Sequence, residues 1–163
     1  MCSAIVSCAQ QQQPEQKVYP EHVGDIAYDP ELDDVGFKVC NPQFVLQYYN
    51  FGKGFQFNGE KKKILDYFQA RYTGTPFKGE SGYISIRFIV NCEGNTGRFR
   101  VIEMDMDYQS KKFSRELHDT LLDLTTKLTG WPICSYETPI QVVDYYQYLL
   151  FKIEDGAIKE ILP

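Results

Sequence analysis

The chain has 163 residues, about the length of one ordinary domain and enough to bury a hydrophobic core. Its net charge is −5 and its longest basic run is "KKK", residues 61–63, which argues against a nucleic-acid partner because such proteins need a basic stripe that releases counterions. No apolar run reaches the roughly 18–20 residues that cross a bilayer.

The first residues form a short apolar run that ends at a cysteine. The stretch "AIVSC", residues 4–8, resembles the lipobox of bacterial lipoproteins, in which a small residue precedes the acylated cysteine. Only seven residues precede Cys8, and a polar stretch typical of a flexible tether follows it. We interpret residues 1–18 as a truncated lipoprotein signal and tether, with Cys8 as the lipidation site. A chance match is the alternative.

The five cysteines, Cys2, Cys8, Cys40, Cys92 and Cys134, contain no CxxC pair, so zinc-site and thioredoxin-like patterns have no support. If Cys8 is acylated and Cys2 is removed, three cysteines remain, and these allow at most one bridge. We interpret them as small buried residues, with a single disulfide as the alternative.

The first half of the chain predicts one clear helix. Residues 18–50 carry turn signals and a strand-like stretch, "QFVLQYYNF", without clean alternation. The stretch "NGEKKKILDYFQARYTG" then predicts a helix that Asn58 caps and that ends at Gly74. Its apolar residues share one face: Ile64, Leu65, Phe68 and Tyr72.

The stretch "YISIRFIVNCEGNTGRFRVIEM" predicts a β-hairpin. One set of alternating residues faces inward: Ile84, Ile86, Phe88, Val90 and Cys92 on the first strand, with Phe99 and Val101 on the second. The other set faces outward: Tyr83, Ser85, Arg87 and Asn91. Ile89 is the exception, since it is apolar on the polar side. The turn between the strands is "EGNTG".

A second helix and a third strand follow the hairpin. The stretch "SKKFSRELHDTLLDLTTKLTG" predicts a helix that Ser110 caps and Gly130 ends. Its apolar stripe is Phe113, Leu117, Leu121, Leu124 and Leu128. The stretch "VVDYYQYLLFKI" predicts a strand, and "EDG" turns the chain into a short "AIKEI".

These elements predict an α+β fold with two layers. The core is ββαβ, an antiparallel sheet of three or four strands in the order second–first–third packed on the long helix, with an extra helix before it. The third strand is then an edge of the sheet unless "AIKEI" folds back over it. An edge strand exposes a row of backbone donors and acceptors to other chains.

The sequence contains few candidates for chemistry. Two histidines, His22 and His118, cannot form a histidine-rich metal site. The stretch "EMDMD" places Glu103, Asp105 and Asp107 on one side of an extended segment, which is not a calcium-binding loop. We expect no catalytic residue, no metal and no cofactor. A hydrolase that uses this acidic cluster is the less favoured alternative.

Arginine and tyrosine residues share the outward face of the predicted sheet. Both types are frequent at interface hot spots because they combine a large contact area with directional hydrogen bonds. The predicted binding residues are Arg87, Arg98, Arg100, Tyr146, Tyr148 and Leu150. The alternative is that residues 18–50 pack on this face.

Residues 57–153 resemble the TonB C-terminal-like domain in the version common in Bacteroidetes cell-envelope proteins. The segment "QFNGEKKKILDYF" resembles the family's F-P-G-G-E segment, and "GYISIRFIVNCEGNTGRFRV" is similar to its hairpin. The residues on patterned positions are Gly82, Phe88, Val90, Gly94 and Trp131. Departures include Glu60 at the second Gly of the first segment and "TPF" in place of Tyr-Pro.

The resemblance implies a protein-binding module that pairs a partner segment with the edge of its sheet. We expect residues 19–163 to form one such domain, non-catalytic and without the energy-transducing role of TonB. The expected location is the cell envelope, as a periplasmic or outer-membrane lipoprotein held to the membrane by its lipid if Cys8 is acylated. The expected partner is a protein segment or envelope protein, and a structural envelope domain is the alternative.

Overall fold

The computed structural model describes residues 24–47, 57–136 and 141–162. These residues form an α+β fold with a mixed sheet of six strands and two helices. The strands are β1 Val45–Gln47, β2 Gly82–Val90, β3 Thr96–Met104, β4 Cys134–Tyr136, β5 Gln141–Glu154 and β6 Ala157–Leu162. The helices are α1 Glu60–Gln69 and α2 Arg115–Thr126, and a short 3-10 helix covers Thr75–Phe77.

The longest strand, β5, holds the sheet together. It pairs antiparallel with β2 along one side, so that the strands β3, β2 and β5 are neighbours in that order. Along its other side it pairs antiparallel with β6 and parallel with β1. The sheet is therefore mixed, and the expectation of a purely antiparallel sheet of three or four strands is wrong. The parallel pair arises because residues before α1, which carried no clear strand pattern, also join the sheet.

The stretch "AIKEI" does fold back over the third predicted strand. A two-residue turn at Asp155 and Gly156, both with positive φ, reverses the chain between β5 and β6. Two left-handed residues are what a type I′ hairpin turn requires. Since β6 pairs with residues 150–154 and β1 with residues 144–146, most of that side of β5 is already paired.

One face of the sheet forms the main core together with both helices. The inward residues of β2 (Ile84, Ile86, Phe88 and Val90) are all fully buried, as the alternation predicted. Leu117 and Leu121 of α2 belong to the same buried cluster. From α1, Phe68 meets Phe151 of β5 edge to face, with 4.9 Å between ring centroids.

Both helices begin later than the sequence indicated. Gly59, not Asn58, is the N-cap of α1, and no side chain caps that helix. The N-cap of α2 is Ser114, whose Oγ accepts from the Leu117 N–H at 3.4 Å. Ser110 instead forms a strand-like bridge with Met104. Ser110 and Lys111 therefore pair with the end of β3 before the helix starts.

Candidate functional site

The three predicted binding arginines contact the chain's own N-terminal segment, residues 24–47. Arg87 donates to the carbonyl of Gly24, and Arg98 donates to the carbonyl of Ile26 at 3.3 Å. Arg100 forms a two-pronged ion pair with Asp33, with N–O distances of 2.7 and 2.8 Å. The contacts observed for these guanidinium groups are therefore intramolecular.

The ion pair between Arg100 and Asp33 is the strongest of these contacts. The Asp33 side chain is only 2% exposed. The hydrogen bond from Arg100 lowers the pKa of the Asp33 carboxyl, and the same bond raises the pKa of Arg100. A two-pronged bond between oppositely charged groups is both stronger and more directional than a neutral hydrogen bond.

An apolar cluster lies on the same face as the arginines. Ile89, Ile26 and Tyr146 are buried against one another, with exposed fractions of 0%, 5% and 7%. Phe37 of the N-terminal segment packs so closely on Gly97 that a Cβ there would lie 2.3 Å from its ring. The N-terminal segment therefore covers this part of the outward face. Ile89 is apolar at an outward position of β2 because the N-terminal segment buries it on that face of the sheet.

The other two predicted binding residues on β5 are half-buried. Tyr148 lies opposite Arg87 in the pairing with β2. Leu150 lies between Ser85 of β2 and Leu162 of β6. The structure thus brings Arg87, Arg98, Arg100 and Tyr146 together beneath the N-terminal segment and leaves Leu150 outside that group. A partner-binding role for the six residues stays a prediction.

A disulfide fastens the N-terminal segment to the sheet. Cys40 and Cys92 are bridged, with 6.1 Å between their Cα atoms. The interpretation of these two cysteines as small buried residues is therefore wrong, whereas Cys134 is buried. The covering segment brings Cys40 to the end of β2, a long-range contact that local sequence patterns do not encode.

The carboxylate of Asp144 lies beside this disulfide. It is 0% exposed, and it accepts hydrogen bonds from the N–H groups of Asn41 at 2.7 Å and Cys92 at 2.9 Å. Asp144 is not among the predicted site residues. Its signal was visible, because Asp144 is the one charged residue in the run "VVDYYQYLLF", and a charge buried in a strand needs partners.

The three acidic residues of "EMDMD" do not converge on a common point. Glu103 is buried and bonded to His118 Nδ1 at 2.9 Å, with the Lys112 ammonium at 3.5 Å. Asp105 accepts from the N–H groups of Asp107 and Gln109 and so holds a turn. This arrangement orders the loop after β3, and it gives no support to a hydrolase built on the cluster.

A groove lies between α1 and β6. It has a volume of about 270 Å³, and it is called the α1–β6 groove below. Its lining is mainly apolar: Leu65 and Phe68 from α1, Tyr72 from the turn after it, and Ile158 and Ile161 from β6. Tyr72 fixes one end by donating to the carbonyl of Gly156 at 2.6 Å, and its burial raises its pKa to about 12.

The groove lies against β6, because residues 157–159 and 161 of that strand line it. Within residues 24–47, 57–136 and 141–162, no hydrogen bond is made to the backbone groups of β6 that face away from β5. The groove and this row of backbone groups are therefore adjacent. Such a pair of features can take the backbone and the side chains of an extended peptide at the same time.

A larger open cavity, of about 630 Å³, lies where the N-terminal segment meets the start of β3. Its charged lining residues are Asp34, Lys38, Glu93 and Arg98, together with Asp33. Because both acidic and basic groups line it, its lining residues do not indicate a ligand class.

Neither a scan against protein-family models nor searches of curated proteins and of solved structures found a match to this chain. Across the part of the chain that the structure describes, neither helix has the length and apolar character needed to cross a membrane. Cys8, Cys2 and His22 lie outside the described residues. The likeness to TonB C-terminal-like domains therefore stays a hypothesis that rests on sequence motifs.

Proposed function

We propose that this chain is a non-catalytic protein-binding module of the cell envelope, with a two-layer TonB C-terminal-like fold built on a ββαβ core. The order β3–β2–β5 and the position of α2 between β3 and β5 in the chain support this proposal. The envelope location rests on the resemblance of residues 4–8 to a lipobox.

We place the binding site at the outer edge of β6. That side of β5 is taken by β6 and β1, and β6 offers the longer outer edge, because it has six residues and β1 has three. The single observation that carries the proposal is that this edge lies beside the apolar α1–β6 groove. Backbone pairing would provide affinity, and the groove would select alternate side chains of the partner.

The size of the groove favours peptide side chains over a whole small molecule. Its volume of about 270 Å³ lies below the range of roughly 300–1,000 Å³ that is usual for small-molecule pockets. Each aliphatic side chain that becomes fully buried there would contribute about 1.5–3 kcal/mol. The preferred partner is therefore an extended segment with apolar residues at alternate positions.

The charges on β6 favour a different protein over a second copy of this chain. Lys159 and Glu160 are both exposed near the middle of the strand. A two-fold antiparallel pair of β6 strands in its two most extensive registers would place Lys159 opposite Lys159 or Glu160 opposite Glu160. Like charges directly opposite each other destabilise a strand pair.

Selection from a peptide library displayed on phage tests this site. We expect the selected peptides to alternate apolar residues and to slow the exchange of β6 amide protons when bound. The variant Leu65→Lys, which puts a charge at the groove, should weaken their binding at least about tenfold, which corresponds to about 1.4 kcal/mol.

The matched control is Ile102→Lys, the same kind of change at an apolar residue of β3 that is 48% exposed and does not line the groove. It should leave binding unchanged, and circular dichroism should show both variants folded. Selection of no peptide, or equal binding by both variants and the parent chain, would overturn strand addition at β6.

A further inference from the structure

We propose that the disulfide Cys40–Cys92 becomes a zinc site when it is reduced, with Asp144 as the third protein ligand. This inference concerns the opposite part of β5 from the α1–β6 groove, and it does not depend on the proposed function. The two cysteines would then form a disulfide under oxidising conditions and would bind zinc as thiolates under reducing conditions.

The donor atoms already lie close enough together. The Sγ atoms of Cys40 and Cys92 and a carboxylate oxygen of Asp144 all lie within 4.8 Å of one another. In a tetrahedral zinc site, bond lengths of about 2.3 Å to sulfur and 2.0–2.2 Å to oxygen put the ligand atoms roughly 3.5–4 Å apart. Small side-chain movements would therefore form the site once the sulfur–sulfur bond is broken.

The charge of Asp144 favours a cation at this position. Its carboxylate is 0% exposed and accepts only from backbone N–H groups, and no described residue forms an ion pair with it. Two thiolates beside it would bring three negative charges together, one of them on the fully buried carboxylate of Asp144. Burying such charges without a counter-ion is costly, and a divalent cation offsets two of the three.

The same hydrogen bonds would keep the ligands in place after reduction. Asp144 accepts from Cys92 itself and from Asn41, the neighbour of Cys40. Asn91 adds a further tie by donating from Nδ2 to the carbonyl of Lys38 at 3.0 Å. Both thiols would therefore stay beside the carboxylate, and the fourth coordination position would be left to water on the exposed side of Cys40.

The reaction balances with a dithiol as reductant. The dithiol gives two electrons and two protons to the Cys40–Cys92 bond, which leaves two thiols, and is itself oxidised to a disulfide. Zinc then displaces the two thiol protons and binds both thiolates. Cys40 is exposed and Cys92 is half-buried, so the bridge lies at the surface, where a reductant can approach it.

The test uses the full chain with Cys2→Ser and Cys8→Ser, because those thiols could also bind zinc. The protein is reduced with dithiothreitol, freed of reductant without air, and titrated with zinc against a coloured chelator. We expect one tightly bound zinc per reduced chain and none in the oxidised chain, which serves as the matched control. Adding Cys40→Ser should abolish binding, and Asp144→Asn should weaken it at least about tenfold.

Equal zinc binding by the oxidised chain, or by the reduced Cys40→Ser variant, would overturn the site. Unchanged affinity in Asp144→Asn would overturn the role of Asp144. Since that variant could fail to fold, cobalt(II) provides a second readout on the reduced chain with Asp144 intact. The visible absorption of a tetrahedral cobalt site with thiolate ligands is expected, and its absence would also overturn the proposal.

Discussion

The carboxylate of Asp33 and the guanidinium of Arg100 connect the N-terminal segment to β3. Asp33 is almost fully buried, and both of its oxygens accept from the same guanidinium group. Removing one member of such a pair costs more than an exposed ion pair would, because the other charge loses its partner in a site with little water.

We expect Asp33→Asn to lower the free energy of unfolding by about 1–3 kcal/mol at pH 7. Folding lowers the pKa of Asp33 below its usual value of 3.8, so the ionised form stabilises the folded state. The ionised carboxylate contributes its full stabilisation when the pH is above the usual pKa. This stabilisation is lost as the pH falls through the lowered pKa of the folded state. The difference in the free energy of unfolding between the parent and the variant should therefore become smaller below about pH 4. Urea unfolding experiments at several pH values measure this difference.

The neighbouring carboxylate gives the control for this change. Asp34 is exposed and accepts only from the Gly36 N–H at 2.8 Å, so Asp34→Asn removes a charge without removing an ion pair. It should change stability by less than Asp33→Asn does. If the free energy of unfolding of Asp33→Asn differs from that of the parent by the same amount from pH 7 to pH 3, the assigned role of the ion pair is wrong.

Individual residues show where sequence reasoning reached its limit. The alternation of β2 identified its buried residues, and the exception at Ile89 was already a sign that the other face is covered as well. The partner of each arginine was not predictable, because contacts such as Arg100 with Asp33 join residues 67 positions apart. The bridge between Cys40 and Cys92 has the same cause, since spacing alone does not determine which cysteines meet.

Among the elements, α2 was predicted well in its middle and less well at its start. The apolar stripe identified the buried side, including Leu117 and Leu121. Ser110 looked like a cap because the pattern begins nearby, but it pairs with Met104 of β3. A cap depends on where the chain leaves the preceding strand, and that is set by tertiary contacts.

Two serine variants separate the observed cap of α2 from the one expected. Ser114→Ala should lower the free energy of unfolding by about 1 kcal/mol, since it removes the acceptor of the Leu117 N–H. Ser110→Ala is the matched control and should have a smaller effect. Urea unfolding measures both. An equal loss in the two variants would mean that Ser114 contributes nothing particular as a cap.

The short strand β1 could not be identified with confidence from its own residues. It has only three residues. It pairs with a strand far along the chain, and the nearby hydrogen bond from the Asn41 N–H to Asp144 joins residues 103 positions apart. The β5–β6 hairpin is the opposite case. Its partners are adjacent in the chain, and the turn "EDG" between them was recognisable.

Amide hydrogen exchange should distinguish the two strands of this hairpin. We expect uniform protection in β5 over residues 150–153, because β2 and β6 pair with it on both sides. In β6 we expect protected and fast amides to alternate, because only one of its edges is paired within the described residues. Uniform protection of β6 in the isolated chain would mean that its outer edge is covered, and it would contradict the proposed site.

For the molecule as a whole, the disulfide is expected to be a large single contribution to stability. It closes a loop across 52 positions of sequence. In the chain-entropy description, a loop of this length stabilises the folded state by about 4 kcal/mol, mainly by restricting the unfolded chain. Few domains of this size can lose that amount without a marked fall in their melting temperature.

We expect the double variant Cys40→Ala, Cys92→Ala to lose about 4 kcal/mol of unfolding free energy relative to the oxidised parent. Urea unfolding with and without a metal-free reductant checks this. Reductant should lower the stability of the parent and leave that of the variant unchanged. A parent whose stability does not respond to reductant would show that the bridge restricts the unfolded chain little.

The position of Cys40 also affects how the chain is made. Synthesis runs from the N-terminus, so Cys2 and Cys8 exist before Cys92 and can meet Cys40 earlier than Cys92 can. The groups that hold Cys40 in its native place, above all Asp144, are among the last to appear. Oxidation before Cys92 is made would therefore allow a wrong bridge, and an isomerase that reshuffles disulfides would raise the yield of correctly bridged protein.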